Sequence, residues 1–99
     1  MNTKDYGTAD LEKEFGSLTF GNALSSYRKG ESISQKGFAK ILEISSQSLC
    51  DIEKERRIPS PGRAAKIARK LDEPEAFWIK LALQDLLRKE KIDLVVSVV

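Results

Sequence analysis

The stretch from Ile33 to Glu53, ISQKGFAKILEISSQSLCDIE, constrains the fold more than any other part of this chain. Ser34 and Ser45 each stand before a run of apolar residues and can accept a hydrogen bond from an amide of the first helical turn. The apolar residues recur at three- and four-residue spacing, which places each set on one face of a helix: Phe38, Ala39 and Leu42 on the first, Leu49 and Ile52 on the second. The spacing predicts two short helices, over residues 35–42 and 46–54, joined by a tight turn.

Three further helices are predicted around this pair. The first runs over residues 19–29, where aromatic and leucine side chains recur at four and three. Ser60 followed by Pro61 is a typical helix start, and this helix should run to residue 71. The last helix, over residues 74–89, is apolar nearly all the way round. The chain is therefore predicted to be all-α with five helices.

The two ends of the chain are expected to behave differently from this helical part. Residues 1–18 are predicted to be a loosely attached arm, with a short helix over Ala9 to Phe15. Residues 92–99, IDLVVSVV, have the β-branched composition of a strand, and no other strong strand candidate is present to pair with it. A short C-terminal strand should therefore pair with a strand of another chain.

The C-terminal region, residues 72–99, is expected to mediate dimerisation or partner binding. A helix that is apolar on every face cannot hide all of them within so small a domain. The simplest partner is a second copy of the chain. The residues expected at this interface are Trp78, Leu83, Leu94, Val96 and Val98. An ordinary core or surface position is the alternative for Trp78.

The net charge of +2 is unevenly distributed along the sequence. Residues 28–70 contain eleven lysines and arginines and five acidic residues, a net charge of +6, whereas residues 1–27 and 71–99 each carry −2. Such a concentration of positive charge is typical of a phosphate-binding surface. A solvated surface with a random charge distribution is the alternative.

Composition argues against several classes of function. The chain has no histidine, the commonest general base and metal ligand, and it has no glycine-rich phosphate loop, so we expect no enzyme activity, no cofactor and no metal. Its single cysteine, Cys50, excludes an intramolecular disulfide, and no apolar run approaches the roughly 20 residues that cross a bilayer. With a polar, acidic N-terminus unlike a secretory signal, a cytoplasmic protein is expected. Cys50 is either a redox switch or a small residue tolerated on an exposed helix face.

The sequence resembles the Cro/cI (Xre) helix-turn-helix family over about residues 19–71. The resemblance is carried by Arg28, Ile33-Ser34-Gln35, Phe38-Ala39, Ile44-Ser45, Leu49, Ile52-Glu53, Pro59-Ser60 and Ile67-Ala68-Arg69-Lys70-Leu71. It implies a lambda-repressor-like domain that binds double-stranded DNA, with helix 46–54 lying in the major groove. The helix that contains Pro74, Phe77 and Trp78 also resembles that of small HigA-type antitoxins, which are autorepressors encoded beside a toxin.

The resemblance also implies roles for individual residues. Positions that contact bases in the family are occupied here by Ser46, Gln47 and Asp51, and amide and hydroxyl side chains suit base edges. Asp51 either accepts from a cytosine amine or stays solvated, because a carboxylate near phosphates is costly. Contacts to the DNA backbone are expected from Gln35, Lys36, Lys54, Arg56 and Arg57. Arg28 and Glu53 are expected to form an ion pair that holds the first helix against the recognition helix.

Two positions depart from the family pattern. Glycine is usual in the turn where this chain has Glu43, and it is usual after the recognition helix where this chain has Glu55. A left-handed glutamate would cost on the order of 1 kcal/mol, and both residues add negative charge near the expected DNA surface.

Three functions are compatible with these features. The leading hypothesis is a dimeric, sequence-specific repressor. A second is an antitoxin that binds a toxin protein and represses its own operon. A third, which the two glutamates keep open, is a protein-binding adaptor with a degenerate helix-turn-helix.

Overall fold

The computed structural model describes residues 18–97, and this part of the chain contains five helices. They are α1 (Phe20–Gly30), α2 (Gln35–Leu42), α3 (Ser46–Glu53), α4 (Pro61–Lys70) and α5 (Glu75–Lys89). The all-α, five-helix prediction is confirmed, with helix ends within one residue of those expected. The predicted helix over residues 9–15 lies outside the described residues, as does Val98.

The predicted N-caps form, and they fix where the helices begin. A serine hydroxyl accepts a hydrogen bond from the amide three residues later at three helix starts: Ser34 from Gly37 at 3.0 Å, Ser45 from Ser48 at 3.0 Å and Ser60 from Arg63 at 3.2 Å. Pro61 occupies the first turn of α4, where its missing amide hydrogen costs nothing. Local chemistry therefore sets the boundaries of α2, α3 and α4.

The core lies where α5 packs across α4 and α1, and where α3 packs against α1 and α2. Its most deeply buried large side chains come from four different helices: Trp78, Phe20, Phe38, Leu24, Leu49 and Ile52. The apolar faces predicted for helices 35–42 and 46–54 are thus the faces that point inward. This leaves their polar faces to solvent.

Trp78 lies in the core of the chain, which was the alternative to the interface position expected for it. Its side chain is only 2% exposed and meets the Phe20 ring edge-on, with centroids 5.2 Å apart. The apolar residues of α5 go nearly all round the helix, so the sequence pattern could not tell which face turns inward. The neighbouring Phe77, 42% exposed, is the aromatic side chain that faces solvent.

The expected C-terminal strand is not formed by residues 92–97 in this single chain. A strand needs a neighbouring strand, and residues 18–97 supply none. The side chain of Gln84 takes that place: its Nε2 donates to the Leu94 carbonyl at 2.8 Å, and its Oε1 accepts from the Val96 amide at 2.8 Å. Leu94 and Val95 remain exposed, and pairing with another chain stays a prediction.

Candidate nucleic-acid interface

The turn between α2 and α3 keeps a tight geometry despite its glutamate. Glu43 adopts a left-handed conformation, with φ 58° and ψ 41°, and the Ile44 amide donates to the Ala39 carbonyl at 3.0 Å. The carboxylate of Glu43 pairs with Lys70 of α4, and this hydrogen bond and charge lower the pKa of Glu43. The negative charge that the sequence placed near the interface is thus partly compensated by a lysine.

Arg28 and Glu53 form the ion pair that the resemblance implied. Arg28 Nε lies 2.8 Å from Glu53 Oε2, and Arg28 Nη2 lies 3.0 Å from Oε1. The third donor, Nη1, reaches the Ile33 carbonyl at 3.0 Å. The bond to Glu53 raises the pKa of Arg28. Since Arg28 lies on α1 and Glu53 ends α3, the pair fixes the orientation of α3.

The outer face of α3 presents short polar side chains. Ser46 and Gln47 are exposed, while Ser48, Cys50 and Asp51 are half-buried. On the opposite face, Leu49 and Ile52 are completely buried. One face of α3 is therefore packed into the core, and the opposite face presents polar side chains to solvent.

Asp51 links two of the predicted DNA-contacting residues, an arrangement that the resemblance did not imply. Its Oδ1 accepts from Gln47 Nε2 at 2.9 Å and from Arg56 Nη1 at 3.0 Å. The hydrogen bonds from Arg56 and Gln47 lower the pKa of Asp51. Asp51 thus positions Gln47 and Arg56, and its own charge is compensated. The four-residue spacing of Gln47 and Asp51 is the sequence signal for this contact.

The residues predicted to contact the DNA backbone differ in exposure. Lys36, Lys54, Arg56 and Arg57 are exposed, whereas Gln35 is half-buried. The Gln35 side chain donates to Glu53 Oε1 at 3.1 Å, so it supports the ion pair and does not point to solvent. Its backbone amide lies in the first turn of α2, where helix amides can bind a phosphate.

A groove of about 630 Å³ lies beside this surface, between the loop after α3, the start of α1 and the end of α5. We call it the α3–α5 groove. Its rim carries four cations: Arg56, Arg57, Arg88 and Lys89. Sequence reasoning missed the last two, because they belong to a segment whose net charge is negative and which was assigned to partner binding.

Residues 18–97 contain neither a candidate metal-binding group nor a candidate membrane-spanning helix. In this part of the chain no group of three or more acidic, histidine or cysteine side chains is placed to hold a metal ion. Nor does any helix described here have the length and apolar content needed to cross a membrane.

Comparison with known protein families identifies a match. A family model described as helix-turn-helix matches residues 24–78, which is more than half of the chain. The match covers α2, α3 and α4 completely, together with most of α1 and the start of α5. No curated protein and no solved structure matches the chain.

Proposed function

The chain belongs to the Cro/C1-type helix-turn-helix family of DNA-binding regulators, and on that premise we propose that it acts as a dimeric, sequence-specific repressor. The observation that carries this proposal is the two-faced character of α3. Leu49 and Ile52 lock one face into the core, while Ser46 and Gln47 stand exposed on the other. A helix held in this way can enter the major groove with its polar face toward the base edges.

In this proposal Gln47 is the main base-reading residue, and Asp51 holds it in place. A glutamine amide can make two hydrogen bonds to adenine. Because Asp51 accepts only one of the two amide hydrogens of Gln47, the carbonyl oxygen and the second hydrogen remain for a base. Ser46, one residue earlier, is short enough to contact a neighbouring base or phosphate.

The DNA backbone is held on both sides of α3. The exposed side chains of Lys36 on α2 and of Lys54, Arg56 and Arg57 after α3 supply positive charge. Gln35 contributes through its backbone amide at the start of α2, since its side chain is engaged by Glu53. Neutralising phosphates with these groups releases counterions, so binding should weaken steeply as salt rises.

A dimer is proposed because one α3 offers few base contacts. Two copies would read half-sites whose centres are about 34–36 Å apart, one turn of the DNA helix. The proposed contact between copies is the apolar surface of the C-terminal region, where Leu94 is exposed and Leu83 and Val96 are half-buried. Val98 would extend this surface.

The test is a footprint of the protein on the DNA upstream of its own gene, combined with binding isotherms at several salt concentrations. We expect two protected half-sites and an affinity that falls linearly on a log–log plot against salt. Lys36→Ala should reduce the slope, whereas Lys80→Ala removes the same charge from an exposed position on α5 and should not. Absence of salt-sensitive binding to any DNA would instead favour the protein-binding adaptor.

A second function, compatible with the first, is the neutralisation of a toxin protein. It is favoured by the exposed apolar side chains of the C-terminal segment, Ile92, Leu94 and Val95. A neighbouring gene whose product co-purifies with this chain, and whose toxicity the chain suppresses, would support it. Replacing Leu94 and Val95 with serine should then abolish co-purification while monomeric folding is retained.

A further inference from the structure

The α3–α5 groove is lined by basic side chains and by two half-buried apolar side chains, which we call its apolar floor. Arg57 and Lys89 lie on its rim, and neither forms an ion pair with any residue between 18 and 97. Ile58 and Leu86 line it and are half-buried. An occupant that fits must therefore bring both carboxylates and apolar side chains.

The segment that precedes α1 has this composition. Asp10, Glu12 and Glu14 alternate with Leu11 and Lys13, and Phe15 follows. Leu11 and Phe15 are the apolar side chains of this segment, and its net charge is negative. The chemistry of residues 10–15 is thus complementary to that of the groove.

This segment precedes, by only a few residues, a part of the chain that lines the groove. Thr19 and Gly21, at the start of α1, are themselves lining residues of the groove. Phe15 is four residues before Thr19, so its Cα lies within about 14 Å of that of Thr19 even in a fully extended chain. The covalent connection therefore gives the segment a high effective concentration at the groove.

We propose that the acidic N-terminal arm docks in the α3–α5 groove, with its carboxylates at Arg57 and Lys89 and its Leu11 and Phe15 side chains over the apolar floor. Two observations favour the arm over a DNA strand as the occupant. A phosphodiester backbone has no apolar side chain to cover Ile58. Glu55 also lines the groove and would repel a polyanion, whereas Lys13 of the arm can meet this carboxylate.

Docking of the arm would regulate DNA binding. Arg56 and Arg57 are rim residues of the groove and also proposed backbone contacts, so carboxylates of the arm compete with DNA phosphates for them. This consequence rests on the proposed function, although the docking itself does not. Undocking of the arm would free these arginines and so raise the affinity for DNA.

Docking is tested in the full chain by paramagnetic relaxation. A nitroxide is attached to Thr8→Cys in a Cys50→Ser background, and the amide signals of Ile58, Leu86 and Lys66 are compared. We expect strong broadening at Ile58 and Leu86. Lys66, which lines a separate groove between α2 and α4, should be little affected.

The matched control is the same labelled chain with Leu11→Ser and Phe15→Ser, which keeps every charge. The broadening at Ile58 and Leu86 should disappear in it. Broadening that survives these substitutions, that is equally strong at Lys66, or that is absent from Ile58 and Leu86 in the parent chain overturns the proposal.

Competition is tested by DNA affinity without the label. Leu11→Ser with Phe15→Ser should tighten binding by about 3–10-fold, because the apparent Kd varies inversely with the fraction of binding-competent protein. Equal affinities of the two proteins overturn the competition. If neither protein binds DNA, the proposed function fails, and the relaxation experiment alone decides whether the arm docks.

Discussion

Arg28 and Glu53 are 25 residues apart in the sequence, and two hydrogen bonds of 2.8 and 3.0 Å join their side chains. Both side chains are largely buried, with 14% and 6% exposed. Gln35 donates to the same carboxylate from the start of α2. One carboxylate therefore ties α3 to α1 and to α2. The proposed DNA contacts lie on α2, on α3 and just after α3, so the site depends on this pair although neither partner need touch DNA.

Removing one partner of the Arg28–Glu53 pair should destabilise the fold. Arg28→Ala leaves the Glu53 carboxylate buried without its cation, and we expect the free energy of unfolding to fall by about 2–4 kcal/mol. Urea denaturation measures this. The control is Arg69→Ala, which breaks the exposed pair with Glu75 at 3.0 Å and should cost less than about 1 kcal/mol. Similar losses in the two variants would contradict a structural role specific to Arg28.

Replacing Gln47 should change which DNA sequence is preferred. Gln47→Ala removes the proposed contact to a base edge, and we expect it to cost about 1–3 kcal/mol and to relax the preference at one base pair of each half-site. Selection of bound sequences from a random pool measures the preference. Lys36→Ala should weaken binding uniformly across sequences. An unchanged preference in Gln47→Ala would assign the reading of that base to another residue.

At Gly21, α1 lies so close to α3 that there is no room for a side chain. A Cβ built there would lie 2.2 Å from the Ile52 carbonyl oxygen, a backbone atom that cannot move away without shifting α3. We expect Gly21→Ala to destabilise the fold by about 1–3 kcal/mol. Gly62→Ala is the matched control, because a Cβ there meets nothing within 4 Å; it should stabilise α4 by about 0.5–1 kcal/mol. A neutral Gly21→Ala would mean that the two helices can separate at little cost.

Much of this architecture was predictable because its determinants are local. Helix periodicity and the caps at Ser34, Ser45 and Ser60 are set within a few residues of each helix start, and the structure confirms them. The left-handed turn at Glu43 is likewise a local event, whose cost the sequence already implied. Features set by neighbouring groups in the sequence were therefore predictable from periodicity and capping, whereas the Arg28–Glu53 pair, 25 residues apart, was implied only by the family resemblance.

Contacts made between distant helices were not predictable in the same way. Trp78 and Phe77 are adjacent and both aromatic, and only the crossing of α5 over α1 decides that the first is buried and the second exposed. The role of Asp85 was missed for a similar reason. A single aspartate near the end of a helix is ordinarily exposed, and nothing in the sequence indicates that the start of α1 lies against it.

Asp85 provides a prediction about pH. Its Oδ2 accepts from the Phe20 amide at 2.9 Å, and its Oδ1 pairs with Arg88 at 2.7 Å, yet burial outweighs these contacts and raises the pKa of Asp85. The folded chain therefore binds this proton more tightly than the unfolded chain, whose aspartate pKa is about 3.9. The stability that protonation of Asp85 contributes is complete below that value and is lost as pH rises through the folded pKa.

Asp85→Asn keeps an acceptor for the Phe20 amide but cannot ionise. Urea unfolding of both proteins across this pH range gives the free energy of wild type minus that of the variant, and we expect this difference to fall as pH rises. Taking the difference cancels the contribution of the other carboxylates to the pH dependence. Glu43 and Asp51 are examples, because their lowered pKa values make stability rise with pH. A constant difference would mean that the contacts to Phe20 and Arg88 balance the burial of the carboxylate, and a rising one that they outweigh it.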